Sequence, residues 1–236
     1  MITGVGGTGV VGVLRNGAGR TVLLRADMDG LPVEEATGLD YASVARGIDP
    51  DGIDVPVMHA CGHDVHVTCL LGAAELLLNS AAEWSGTLVV LFQPAEELGG
   101  GAQAMVDDGL YERIPPPDVV LGQHVTPAPA GILGAHSGPA FAGADSFLVR
   151  LFGRGGHGSQ PESTVDPVVM AAANAPLVYW LMGGSDPQKV ADATAAGTTA
   201  RDIPSNHSPY FAPVVRPTLD TGIAALTIAA REWFKP

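Results

Sequence analysis

The sequence predicts an α/β fold, a three-layer α/β/α domain around a mainly parallel central sheet. Three observations carry this expectation. Short runs rich in Val and Leu, bounded by turn residues, alternate with segments of helical periodicity over the first half of the chain. These runs are apolar throughout rather than every second residue, the pattern of strands covered on both faces. And 46% hydrophobic residues in a chain of 236 suffice for a sizeable core.

Taken in order, MITGVGGTGVVGV (1–13) reads as a β-strand with turns. It lacks a basic region followed by an apolar core and a cleavage site, so it is not read as a signal peptide, and a cytoplasmic location is expected. TVLLR (21–25), TLVVLF (87–92), DVVLGQ (118–123) and LVYWLM (177–182) read as buried strands. HVTCLLGAAELLLNSA (66–81), GGAQAMVDDGLYERI (100–114) and RPTLDTGIAALTIAAREWF (216–234) read as helices. FLVRLF (147–152) differs, because Arg150 interrupts it and a Gly-rich loop follows; it suits a strand of a separate, smaller sheet. TAAGTTARDIPSNHSPYF (194–211) is turn-rich and reads as a long loop.

The balance of 25 acidic to 12 basic residues, a formal charge of −13, argues against nucleic acid as a partner. No stretch approaches the roughly 20 apolar residues of a membrane span. With only two cysteines, Cys61 and Cys69, a disulfide framework is not expected. Cys69 lies in an apolar helical segment and reads as a small buried hydrophobe.

The polar residues at strand ends carry the chemistry. TVLLR leads into Asp27 and Asp29, TLVVLF into Glu96 and Glu97, and DVVLGQ into His124. In doubly wound sheets ligands bind outside the carboxyl ends of the strands. The segment MHACGHDVH (58–66) adds Cys61, His63, Asp64 and His66 just before a helix that would pack beside them. Each residue alone has a structural explanation as a cap, a solvated turn or a satisfied core histidine. Their convergence on one sheet edge favours a site. Thiolate, imidazole and carboxylate are the ligands of zinc and its first-row neighbours. Asp29 or Asp64 could orient a ligating histidine, and of two adjacent glutamates one could bind metal while the other takes a proton from water. A cysteine-nucleophile amidase built on Cys61 is an alternative, but leaves His124, Glu97 and the aspartates without a role.

The blocks RADMDGLPVEEATGLDYAS, VPVMHACGHDVHVTCLLGAA, LVVLFQPAEELGGGAQAMVDDGL, GQH and GRGGHGSQPESTVDPV resemble the amidohydrolase branch of the co-catalytic di-metal peptidases, which includes hippurate hydrolase, N-acyl-amino-acid amidohydrolases and auxin-conjugate hydrolases. The resemblance implies a zinc-exopeptidase-like catalytic domain over 1–136 and 176–236, with 137–175 as part of a small α+β lid that also dimerises. It implies two divalent metal ions, Zn or Mn, held by Cys61, His63, Glu97, His124 and His207, with Cys61 bridging. Asp27 and Asp29 would stand behind the ligands. Glu96 would be the general base and His157 a lid histidine that contacts the substrate. His66 is not a ligand in that family and is expected to face the following helix. The implied activity is hydrolysis of the amide of an N-acyl amino acid or short peptide. Family members are homodimers and carry a longer N-terminal part and a complete lid of about a hundred residues. Here the lid motifs bearing an Asn and a carboxylate-binding Arg are absent, and the sequence joins two distant segments near Ala173 to Pro176. That departure weighs against the dimer and raises the alternative of a metal-binding, catalytically impaired form.

Overall fold

The computed structural model describes residues 1–135 and 177–235. Four parallel strands form the middle of one sheet: β3 (Thr21–Asp27), β6 (Gly86–Gln93), β7 (Val119–Pro129) and β9 (Leu177–Ser185). An antiparallel hairpin of β1 (Ile2–Val5) and β2 (Gly9–Asn16) closes one side, and β8 (Leu133–Gly134) pairs antiparallel to β9 on the other. The order is β1-β2-β6-β3-β7-β9-β8. A separate small hairpin joins β4 (Arg46–Ile48) to β5 (Asp54–Pro56).

The four central strands contain the runs expected from sequence, with β7 continuing to Pro129. The opening segment is two strands rather than one. The expected strand 147–152, His157, the lid segment 137–175 and its join to the catalytic part lie outside the described residues.

Helices cover both faces. On one, α1 (His63–Asn79) and the closing helix α6 (Val215–Trp233) bury Cys69, Leu70, Ala73, Leu77, Leu226 and Ala230 against Val22, Leu24, Leu88 and Leu121. Each fully buried leucine there contributes roughly 1.5–3 kcal/mol relative to exposure. On the other face α2 (Gly101–Asp107) and α3 (Leu110–Arg113) bury Met105 and Leu110 against Val5, Val11, Leu23, Val89 and Leu91. The alternation of Leu23 and Leu24 between the two clusters is the period of a strand covered on both sides. No helix among the described residues is long and apolar enough to cross a membrane.

Two expectations are corrected. The segment 100–114 is not one helix: Gly109, at φ 77° in the left-handed region, ends α2 and opens α3. The segment 194–211 is not all loop: its start completes α4 (Pro187–Ala195), and α5 (Thr199–Asp202) follows before irregular chain begins. Helix α4 starts because the Asp186 carboxylate accepts from the amides of Gln188 and Lys189, with Pro187 in the first turn.

The first turn of α1 is tied to the sheet by buried polar groups. Helix α1 begins at His63, three residues before the expected start, so His63 and His66 share one helical face. His66 does not face the following helix; it stands on that helix and turns toward the sheet. Its Nδ1 bonds the Asp27 carboxylate at the end of β3, and its Nε2 accepts from the Val125 amide of β7 at 2.9 Å. Arg25 bonds the other Asp27 oxygen at 2.7 Å and Gln93 Oε1 at 2.9 Å. Burial alone would raise the Asp27 carboxyl, but the Arg25 guanidinium and His66 outweigh it and hold it far below the usual carboxylate range.

This sets the sign of an acid effect. A carboxyl depressed in the folded state contributes stability above its unfolded pKa of about 4 and loses it as pH falls below that value. Asp27→Asn leaves Arg25 without its buried counter-charge and should cost on the order of 3 kcal/mol at neutral pH. Urea denaturation of the metal-free protein from pH 3 to 7 should show this difference shrinking below about pH 4; a difference constant with pH would contradict the assignment.

Candidate metal centre

Three turns and the middle of strand β7, which runs on past the expected strand end before His124, meet above the carboxyl edge of the sheet. Beyond β3 come Met28 and Asp29. Beyond β6 the chain turns at Ala95, a non-glycine residue at φ 49°, and delivers Glu96 and Glu97. Strand β7 presents His124. The turn before α1 bends at Gly62, at φ 79°, where a Cβ would lie 2.4 Å from Val125 Cγ1. Glycine at 62 therefore satisfies both the left-handed backbone and the close approach to β7. A fifth segment, Asn206-His207, reaches in from the loop after α5, with His207 at φ 69° and its amide bonded to the Ala60 carbonyl at 2.8 Å.

These elements bring together Cys61, His63, Glu96, Glu97, His124 and His207. Cys61 Sγ lies 3.5 Å from His124 Nε2 and 3.2 Å from His207 Nε2. His207 Nε2 lies 3.2 Å from Glu97 Oε1, and His63 Nε2 lies 3.8 Å from the same oxygen and 3.9 Å from Glu96 Oε2. One ligand atom from each of Cys61, His63 and Glu97 falls within 4.8 Å of the others. His63 Nε2 and Glu97 Oε1 are buried and make no hydrogen bond. Two buried groups without hydrogen bonds, an imidazole nitrogen and a carboxylate oxygen, would be costly in an ordinary core.

Hydrogen bonds assign the imidazole tautomers. His63 Nδ1 lies 3.1 Å from both the Asp29 carbonyl and its Oδ1, so it carries a proton and Nε2 is the atom turned to the cluster; against the effect of burial, Asp29 and the neighbouring carboxylates raise the His63 pKa. Asp29 Oδ2 in turn accepts from the Glu97 amide at 3.0 Å, so one carboxylate orients two neighbouring groups of the cluster. His124 Nδ1 donates to the Val125 carbonyl at 2.7 Å, which points Nε2 at Cys61. Burial, with His66 nearby, pushes the His124 pKa down to about 3, so its imidazole is neutral and ready to donate a lone pair. Burial and the Glu97 carboxylate push the Cys61 thiol up, as expected where a further negative charge would crowd an acidic site. Burial also raises the Glu96 carboxyl, against the pull of Arg25.

Asp27, His63, His66 and His124 form a second cluster of potential ligands. Here His66 has no free nitrogen, since Asp27 and the Val125 amide engage both, and Asp27 is committed to Arg25 and His66. The side chains that face one another at this edge are therefore Cys61, His63, Glu97, His124 and His207, with Asp29 beside His63 and Asp27 one layer deeper. Asp64 is exposed on α1 and orients none of these side chains. Sequence reasoning missed Arg25 and Asn206. The lone Arg25 inside an otherwise apolar strand was the available signal for the first; nothing local marks the second.

The family model for peptidase family M20/M25/M40 matches residues 23–231. Thermostable carboxypeptidase 1 of Saccharolobus solfataricus is 44% identical over 176 residues, 73% of this chain and 42% of that protein. Hippurate hydrolase of Campylobacter jejuni is 44% identical over 170 residues, 71% of this chain and 41% of that protein. N-acetyl-L-cysteine deacetylase of Bacillus subtilis is 42% identical over 155 residues, 65% of this chain and 34% of that protein. The first two comparisons show that the chain spans about two fifths of the length of such curated relatives. The crystal structure of the Bacillus subtilis YXEP protein, described as a dinuclear metal binding peptidase from the M20 family, superposes with a TM-score of 0.69 at 19% identity, over 95% of this chain and 85% of that one. The sheet, the clustered donor residues and these similarities agree, and the chain belongs to peptidase family M20/M25/M40.

Proposed function

We propose that the clustered residues hold two divalent cations, zinc or manganese, and that the site hydrolyses the amide of N-acyl amino acids. The observation that carries this reading is the pair of buried atoms without a hydrogen bond, His63 Nε2 and Glu97 Oε1, within an imidazole, thiol and carboxylate cluster. In this reading Cys61, His63, Glu97, His124 and His207 would hold the cations, and Asp29 would orient His63. Bound there, the cations supply Lewis acidity and make a water nucleophilic near neutral pH. Glu96, whose carboxyl is raised by burial, would take a proton from the attacking water and return it to the leaving amine. His157 donates to the oxyanion that develops on the acyl carbonyl. The relatives named for hippurate and N-acetyl-L-cysteine support an acyl-amino-acid substrate class.

The missing lid motifs favour a second reading, in which the cations bind but turnover is poor. Loss of one oxyanion donor costs on the order of 10²–10³ in rate, and an Asn and an Arg are absent together. Turnover of hippurate measured beside a full-length family member separates the two readings: comparable rates uphold the hydrolase, while bound metal with rates lower by that factor upholds the impaired form.

Two substitutions test the division of labour. Glu96→Gln should retain metal, measured by elemental analysis after dialysis, and lose about 10²–10⁴ in turnover. Glu97→Gln should lose metal under the same dialysis. The opposite pattern would reverse the two roles.

Metal removal has its own readout in stability. At a free metal concentration of about a hundred times Kd, binding to the folded state alone adds roughly 2.7 kcal/mol. The metal-loaded protein should therefore melt several degrees above the chelator-treated one, and Cys61→Ser should lose most of that difference. Identical melting with and without zinc or manganese would remove the basis for the proposed site.

A further inference from the structure

We infer that Asn206 is a positioning residue that docks the His207 loop and sets the aim of His124 through a shared backbone carbonyl. The inference rests on the reading of Cys61, His124 and His207 as metal ligands. Asn206 Nδ2 lies 3.2 Å from the Cys61 carbonyl and 3.1 Å from the Val125 carbonyl, and 3.7 Å from Cys61 Sγ. Its two N–H groups match those two carbonyls, one in the turn before α1 and one on β7. The Val125 carbonyl is the group that accepts the His124 Nδ1 proton at 2.7 Å. One oxygen thus receives both His124 and Asn206, using its two lone pairs.

The location explains why a side chain is needed there. Strand β3 pairs with β7 only as far as Arg25 and Gly122, so β7 runs on toward the site without that neighbour. Side chains take over the Val125 peptide: His66 receives its N–H, and His124 and Asn206 bond its C=O. His66 secures the strand to α1, whereas Asn206 secures it to the loop carrying His207. The loop is anchored on either side of this point by buried Ile203 and Phe211 and by the Pro209 carbonyl, which accepts from the Ala36 amide at 2.9 Å, but the backbone at His207 itself is lightly held. The His207 side chain is 55% exposed, its backbone is in the left-handed region, and its amide makes one bond to Ala60. With Asn206 added, the loop is docked on adjacent residues, Ala60 and Cys61, by two bonds.

Asn206 therefore brings three distant segments of chain into one arrangement before a cation binds. Its amide hydrogens are committed to backbone carbonyls, so it is not placed as a substrate-binding donor. Removing it loosens the loop at His207, which keeps its amide bond to Ala60, and leaves His124 bonded to a carbonyl that is no longer held from the loop side.

The test uses cobalt(II) as a coloured probe of the full chain, with Asn206→Ala and the similar-volume Asn206→Leu beside the wild type. Metal-free samples are titrated with cobalt, while urea denaturation of the same samples reports the fold. Partners that orient metal ligands typically cost 10–100-fold in affinity when removed. Both variants should lose cobalt affinity by a factor in that range. Their thiolate-to-cobalt absorption band should change in position or intensity, with the urea midpoint of the metal-free protein close to wild type. A purely structural asparagine would instead lower the urea midpoint and leave the affinity and spectrum of folded protein unchanged, which would overturn the inference. Wild-type affinity and spectrum in both variants would overturn it as well. If the wild type itself binds no cobalt, the metal-site reading fails first, and this inference falls with it.

Discussion

The buried pair of Asp27 and His66 is the joint on which the site end of this molecule depends. A carboxylate excluded from water is costly unless compensated. Arg25 supplies the counter-charge and His66 the remaining hydrogen bond. His66 in turn uses its second nitrogen on the Val125 amide, so the pair links the end of β3, the first turn of α1 and the free edge of β7. These are the elements that carry Asp29, His63 and His124. A single buried network therefore fixes the relative positions of groups far apart in the chain, and an apolar joint could not impose the same directional alignment.

The positions of charge follow from that joint. Burial favours the neutral imidazole at His124, whereas the carboxylates around His63 raise its pKa and Asp29 fixes the direction of its ring. The acidic groups are graded by depth. Asp27 is paired and silent, Asp29 is committed to orienting His63 and Glu97, and the cluster oxygen of Glu97 is left unpartnered. Glu96 is half-buried at the rim and its carboxyl is raised, which suits a group that exchanges protons. Four carboxylates near one another thus have different surroundings, and the chemistry open to each follows from its neighbours.

Much of this was legible in the sequence because the informative residues follow strand ends. The apolar runs located β3, β6, β7 and β9, and the residues after the first three of them identified the edge where Asp29, Glu96, Glu97 and His124 gather. What escaped had non-local causes. His66 looked like a member of the Cys61–His63 cluster, and only the start of α1 at His63 shows that it turns to the sheet and is fully bonded there. The split between α2 and α3 depends on Gly109 adopting a left-handed conformation, where a glycine within an amphipathic pattern could equally have continued the helix. Helix α4 has a start signal in Asp186-Pro187, but the turn-rich composition that follows masks it in the sequence. Asn206 carries no local signature: its partners Cys61 and Val125 are 145 and 81 residues away.

The same edge concentrates backbone strain. Ala95 and His207 are the non-glycine residues with left-handed φ among the described residues, and they lie immediately before Glu96 and at the histidine facing Glu97. The left-handed conformation costs an ordinary L-residue roughly 1–2 kcal/mol. Neither position serves the core: Ala95 lies in the turn beyond β6, and His207 is on an exposed loop. A chain free to relax would place glycine or asparagine in such turns. In both places the strained turn instead brings ionisable side chains to Cys61 and His63, and the unpartnered Glu97 oxygen lies between them. Strain and an unsatisfied buried acceptor are each unfavourable alone. Together at one edge they describe a fold that sacrifices local stability to hold donor atoms close, and a cation able to bond those atoms would offset the cost of both.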